Sequence, residues 1–172
     1  MSDMKFISSI DLLDYLHFLE NKSTCAAKKV GCAIFRRVDN DNFEILAGGW
    51  NASIGPCKCN ELFEKKNGIW FKNNKECESN AHKIFSDKYE IHAEMMALNN
   101  LNKSEYLRDP SQIEVLSTYS SCINCAKHLL YNNIQRAFYI NPFDDITEVE
   151  RMYTILETPL IQIRKASDIN AS

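Results

Sequence analysis

No apolar run in the chain reaches the roughly eighteen residues that a membrane span requires. The opening stretch, MSDMKFISSIDLLDYL, mixes acids with apolar residues and offers no small-residue cleavage site, so it does not read as a signal peptide. Strong charge of one sign is also missing. A net charge of −3 gives the chain as a whole no pull on polyanions. An even set of cysteines is lacking too. Seven thiols without a secretory signal point to metal binding or packing rather than to a disulfide framework. Internal repeats and domain boundaries are absent. What these absences leave is a single domain of 172 residues in the cytoplasm, large enough to bury one substantial core.

One segment departs from the mild overall charge. In EKKNGIWFKNNKE, Glu64 to Glu76, lysines interleave with Trp70 and Phe71, a composition that can touch nucleic acid by charge and stacking. The flanking acids favour the plainer reading of a solvated loop with two apolar anchors.

Leu12, Leu13, Leu16 and Leu19 recur at helical spacing after Ser8 and Ser9, both candidate N-caps. Val30–Val38 and Phe43–Trp50 are short apolar runs separated by Asp-Asn-Asp-Asn, which reads as a hairpin. From Asn51 to about Lys88 periodicity fades, and a connection that long inside a compact domain is functional or stapled. Ile91–Leu101 is helical in pattern, with Met95, Leu98 and Leu101 on one stripe. Strands are expected at Ile113–Tyr119, Ile134–Ile140 and Pro159–Ile163, with helices from Cys122 and over 146–157 between them. That order implies an α/β sandwich on a mixed sheet.

Two short strings carry the chemistry: HAE, His92–Glu94, and SCINC, Ser121–Cys125. Each opens an expected helix. Cys122 and Cys125 are three apart in a first turn, so their sulfurs share a side, and a helix N-terminus lowers thiol pKa toward the metal-binding thiolate. An imidazole from His92 completes a three-ligand zinc site with one position left for water, the pattern of a catalytic zinc. Glu94 lies two residues from His92, off its helical face, and reads as the general acid–base rather than a fourth ligand. Either string alone says little. Together, at strand-to-helix junctions some thirty residues apart, they match zinc nucleobase deaminases.

On these residues the chain resembles the cytidine and deoxycytidylate deaminase superfamily over roughly residues 8–163. The resemblance implies a cytidine deaminase-like three-layer α/β/α sandwich with a five-stranded sheet in the order 2-1-3-4-5. STCAAKKVGCAIF and GGWNAS are similar to the deoxycytidylate branch, which implies hydrolysis of dCMP to dUMP and ammonia in pyrimidine nucleotide biosynthesis. By the same resemblance Asn51 contacts the sugar, Ser53 lies in the phosphate loop, and Phe143 is the aromatic partner after the fourth strand. A homo-oligomer, dCTP and dTTP as effectors (Mg2+ accompanying dCTP) and Lys29 as an effector contact are implied as well. Some members of that branch hold a structural zinc. Its ligands here would be Cys25, Cys57, His82 and Glu90, with Cys59 and Cys77 as thiols able to replace Cys57 or Glu90. Such a metal would staple the long segment after Asn51.

Three positions depart from the branch pattern. Ser121 stands where proline precedes the first cysteine, Met96 where asparagine follows the histidine by four, and Phe143 where tyrosine is usual. Serine caps helices well, so the zinc site survives the first change. HAEMMAL and GWNASIG are more like tRNA adenosine deaminases, which keeps open a base within RNA or single-stranded DNA as substrate. A non-catalytic zinc-stabilised binding module is the remaining alternative, and retention of Glu94 argues against it.

Overall fold

The computed structural model describes residues 6–56, 58–104, 109, 112–143 and 145–171. Its first helix, α1 (Ser9–Asn21), begins where the sequence offers caps. The Ser8 hydroxyl accepts the Asp11 N–H, and Asp11 returns a carboxylate to the Ser8 N–H, a reciprocal box that satisfies two end donors. The apolar stripe Leu12, Leu16 and Leu19 is buried against the sheet, each side chain contributing about 1.5–3 kcal/mol.

β2 (Gly31–Arg37) and β3 (Asn42–Trp50) form the expected antiparallel hairpin. The Asp39 carboxylate makes its turn by accepting the backbone N–H groups of Asp41 and Asn42, both at 2.9 Å. β9 (Ile113–Tyr119) pairs antiparallel with β2 and parallel with β10 (Arg136–Asn141), and β10 pairs parallel with β11 (Leu160–Gln162). These five strands run in the 2-1-3-4-5 order expected. The sheet nevertheless has six strands, because β1 (Phe6–Ser8) adds itself antiparallel to the outer side of β3 at Asn42–Glu44. Three residues ahead of a capped helix are too few to show strand periodicity in a sequence.

Helices cover both faces. α1 and the short α7 (Ser167–Asn170) share one cluster with Phe35, Phe43 and Phe138. On the opposite face α4 (Ala93–Asn100), α5 (Ile123–Tyr131) and α6 (Thr147–Ile155) pack on Ile34, Ala47, Ile113 and Val115. The face that α4 buries is not the expected one. Ala93, Glu94 and Ala97 are buried, whereas Met95 and Leu98 are half-buried at its side. The reason is Gly49 in β3, where an added Cβ would lie 2.3 Å from the Ala93 carbonyl and 2.4 Å from the Ala97 nitrogen. Helix and strand backbones touch there, and only small residues fit between them.

The long segment is folded rather than structureless. β4 (Ala52–Ser53) pairs with β8 (Glu90–Ile91), so its two ends are adjacent. Between them lie α2 (Cys59–Leu62), a small sheet of β5 (Phe63–Lys66), β6 (Ile69–Lys72) and β7 (Lys75–Glu76), and α3 (Ala81–Tyr89). Asn67-Gly68 and Asn73-Asn74 all have positive φ and turn the chain twice, as two-residue hairpins require. Trp70 is buried rather than offered to a nucleic-acid base. Among the described residues no helix is long and apolar enough to cross a membrane.

Candidate active site

Two helix N-termini meet beyond the ends of β3 and β9. His92 is the N-cap of α4 and Cys122 the N-cap of α5, both with extended backbone that turns the side chain out of the helix. His92 Nδ1 lies 3.5 Å from Cys122 Sγ and 3.4 Å from Cys125 Sγ. A tetrahedral zinc with Zn–S about 2.3 Å and Zn–N about 2.0 Å sets S···N edges of about 3.5 Å, so the donor set fits zinc. The Cys125 thiol and His92 stabilise a Cys122 thiolate, whose pKa falls to about 4. The bond to Cys122 in turn raises His92 to about 9, and proximity to that thiolate, with burial, pushes the Cys125 thiol up.

Glu94, two residues beyond His92 in the first turn of α4, is 4 % exposed. Burial raises its carboxyl pKa, opposed by its own backbone N–H, the neighbouring His92 and the Ser121 hydroxyl. A carboxyl pulled both ways is suited to accept and return a proton. Ser121, in place of the proline, is buried as well. The Met96 sulfur accepts the Trp50 N–H at 3.5 Å and supplies no amide to the site.

A second cluster lies beyond β8. Cys25, Cys59, His82 and Glu90 place their ligand atoms within 4.8 Å of one another. His82 Nε2 is 3.7 Å from Cys25 Sγ and 3.1 Å from Cys59 Sγ. The Ala26 N–H points at Cys59 Sγ and the Ala27 N–H at Cys25 Sγ, the contacts that a thiolate attracts. Glu90 Oε2 accepts the Ser86 hydroxyl at 2.5 Å, but its Oε1 is buried with no hydrogen-bond partner. A metal would satisfy that oxygen. Trp70 stacks flat on the His82 ring at 4.4 Å, and Phe63 meets its edge. Of the expected ligands, Cys25, His82 and Glu90 come together. Cys57 lies outside the described residues, and Cys59 brings the second thiol. Cys77 packs at the cluster's rim without joining the ligand set.

The sequence profile of the cytidine and deoxycytidylate deaminase zinc-binding region matches residues 11–141, which span both clusters. The chain belongs to that family. Family membership makes it a zinc-dependent hydrolytic deaminase. Three solved structures share the fold. The dCMP deaminase of cyanophage S-TIM5, in complex with dCMP and dUMP, has a TM-score of 0.62 at 20 % identity, covering 90 % of this chain and 95 % of its own. The Rib2 deaminase of Aspergillus oryzae gives 0.56 at 13 % identity, covering 91 % and 84 %. The Thermotoga maritima diaminohydroxyphosphoribosylaminopyrimidine deaminase/5-amino-6-(5-phosphoribosylamino)uracil reductase gives 0.55 at 11 %, covering 95 % of this chain and 38 % of that protein. At these identities the likeness concerns the fold. No curated protein matches the sequence.

Within the deaminase fold the remaining expected residues have the following surroundings. Asn51 is buried, and its Oδ1 accepts both the Ser23 hydroxyl at 2.6 Å and the Val30 N–H at 2.8 Å. Its amide donates to the Lys28 carbonyl at 2.9 Å, so the side chain clasps the loop before β2. The Ser53 hydroxyl accepts the Cys59 N–H at 2.8 Å, which ties β4 to α2. Phe143 is partly exposed, its N–H donating to Ser120 Oγ at 2.7 Å. Lys29 is exposed. Lys28, which sequence reasoning passed over, places its ammonium over Phe143; a lysine in a short loop carries no signal of where its head will rest.

Removing one sulfur tests the first cluster. Cys122→Ala is expected to lose the catalytic zinc, since two remaining ligands hold a divalent ion poorly. Metal analysis of the purified variant checks this, and unchanged zinc content would refute the assignment.

Proposed function

We propose that the chain deaminates a cytosine mononucleotide, with dCMP as the preferred substrate and dUMP and ammonia as products. The observation that carries the reading is the buried carboxylate of Glu94 beside the His92–Cys122–Cys125 triangle. Zinc held by His92, Cys122 and Cys125 would supply a water whose pKa is lowered to about 7. Glu94 would take a proton from the attacking water as the water oxygen adds to C4 of the base. The same carboxyl then delivers the proton to the exocyclic amine, the C4–N bond breaks, and ammonia leaves. A binding module without chemistry would have no use for an acid buried at this point.

The choice of dCMP is supported by the STC…VG and GGWNAS strings and by Asn51, whose neighbour Ala52 pairs with Ile91 beside His92. A net charge of −3 fits a small anionic substrate handled locally better than a polymer held by a basic channel. As part of the same reading, Cys25, Cys59, His82 and Glu90 hold a structural zinc, and dCTP (with Mg2+) and dTTP act as activator and inhibitor of a homo-oligomer. The test is ammonia release from dCMP, dCTP, deoxycytidine, cytosine and short RNA and DNA oligomers, with and without added dCTP or dTTP. Turnover of dCMP should exceed that of every other substrate by at least about tenfold, the effect of one good polar contact. Faster turnover of an oligomer would replace this reading with a nucleic-acid deaminase.

A further inference from the structure

Three consecutive residues after α1 grip the three residues that follow β3. The Ser23 hydroxyl donates to Asn51 Oδ1 at 2.6 Å, with both side chains buried. The Ser53 N–H donates to Thr24 Oγ1 at 3.3 Å. Cys25 belongs to the second cluster, and its N–H donates to Ser23 Oγ at 3.2 Å. The Thr24 carbonyl accepts the Asn60 N–H at 2.9 Å, next to Cys59, whose own N–H is held by Ser53. Ser23 therefore joins the backbone of a second-cluster residue on one side to the Asn51 side chain on the other.

Asn51 is in turn joined to the catalytic cluster through its neighbours. Trp50 donates its N–H to the Met96 sulfur at 3.5 Å, in the helix that His92 caps. Ala52 pairs with Ile91, the residue before His92. The proposed chemistry makes no use of Ser23. We infer that Ser23 is a positioning residue for substrate binding: its hydroxyl ties Asn51 to the second cluster and so fixes the strand beside His92. This rests on the reading of a cytosine mononucleotide bound beside Asn51. Without the hydroxyl, Asn51 Oδ1 keeps the Val30 N–H, but the Cys25 N–H loses its acceptor. A donor left in that state shifts to find another partner, and the loop shifts with it. The order that a metal gives Cys25 thus reaches substrate affinity as well as stability.

Steady-state kinetics with dCMP, together with metal analysis, test the inference in zinc-loaded wild type, Ser23→Ala and Ser23→Thr. In Ser23→Ala the KM for dCMP should rise about tenfold, the order of one buried hydrogen bond. Turnover should change little, the mark of lost binding rather than lost chemistry. Zinc content should stay as in wild type, and Ser23→Thr, which keeps the hydroxyl, should restore most of the affinity. Combining Ser23→Ala with His82→Ala should raise KM by less than the product of the single effects, as members of one network do. A full product would overturn the link to the second cluster. An unchanged KM in Ser23→Ala would overturn the inference alone. So would lower kcat at unchanged KM, since a merely destabilised fold reduces the active fraction without altering affinity. A wild type that leaves dCMP untouched would overturn the substrate reading and this inference with it.

Discussion

Glu94→Gln is expected to keep its zinc and lose turnover by a factor of about 10²–10⁴, the contribution typical of a general acid–base group. The substitution preserves size and burial at a position only 4 % exposed, so the fold has no reason to change. It removes the ability to carry a proton. Glu94 is outside the three-donor triangle, and metal content measured beside kcat separates the two roles. Near-normal turnover would refute proton transfer by this residue. Zinc lost in step with activity would make it a ligand instead.

His82→Ala carries the second large effect. The imidazole faces both thiols of the second cluster and is held between Trp70 and Phe63. Its removal leaves two sulfurs and the partnerless Glu90 oxygen without the group that joins them. Breaking a buried charged set by removing one member costs about 3–5 kcal/mol. Zinc content should fall by one equivalent from two, proteolysis within residues 52–88 should rise, and activity should drop while the catalytic zinc stays bound. Metal analysis with limited proteolysis checks all three. One zinc per chain in the metal-replete wild type would count decisively against a second site, and two zincs untouched by His82→Ala would remove His82 from its ligands.

The catalytic cluster was legible in the sequence because its donors are local. Cys122 and Cys125 share one helical turn, His92 and Glu94 another, and each pair carries its geometry in its spacing. The hairpin Val30–Trp50 and the crossover strands were legible for the same reason. Contacts set by distant backbone were not. The stripe Met95–Leu98–Leu101 is the larger apolar face of α4, yet Gly49 admits only the alanine side. Asn67-Gly68 is a strong two-residue turn signal, but aromatic and lysine residues on both sides hid the alternation of a strand. At the second cluster Cys25, His82 and Glu90 come together with Cys59, which the sequence offered as a substitute thiol, while Cys57 lies outside the described residues.

The contact between Gly49 and α4 has a bearing on how zinc comes and goes. At the catalytic cluster, His92 is positioned by two backbones in van der Waals contact, a constraint that does not depend on the ion. Among the described residues the second cluster has no equivalent contact of two backbones, since Cys25 lies in a loop and Cys59 in a single helical turn. Chelation should therefore be graded: metal extracted from the catalytic triangle leaves its donors waiting in place and can be replaced at once, whereas metal extracted from the second cluster releases the chain around it, and recovery must wait for that chain to find its fold again.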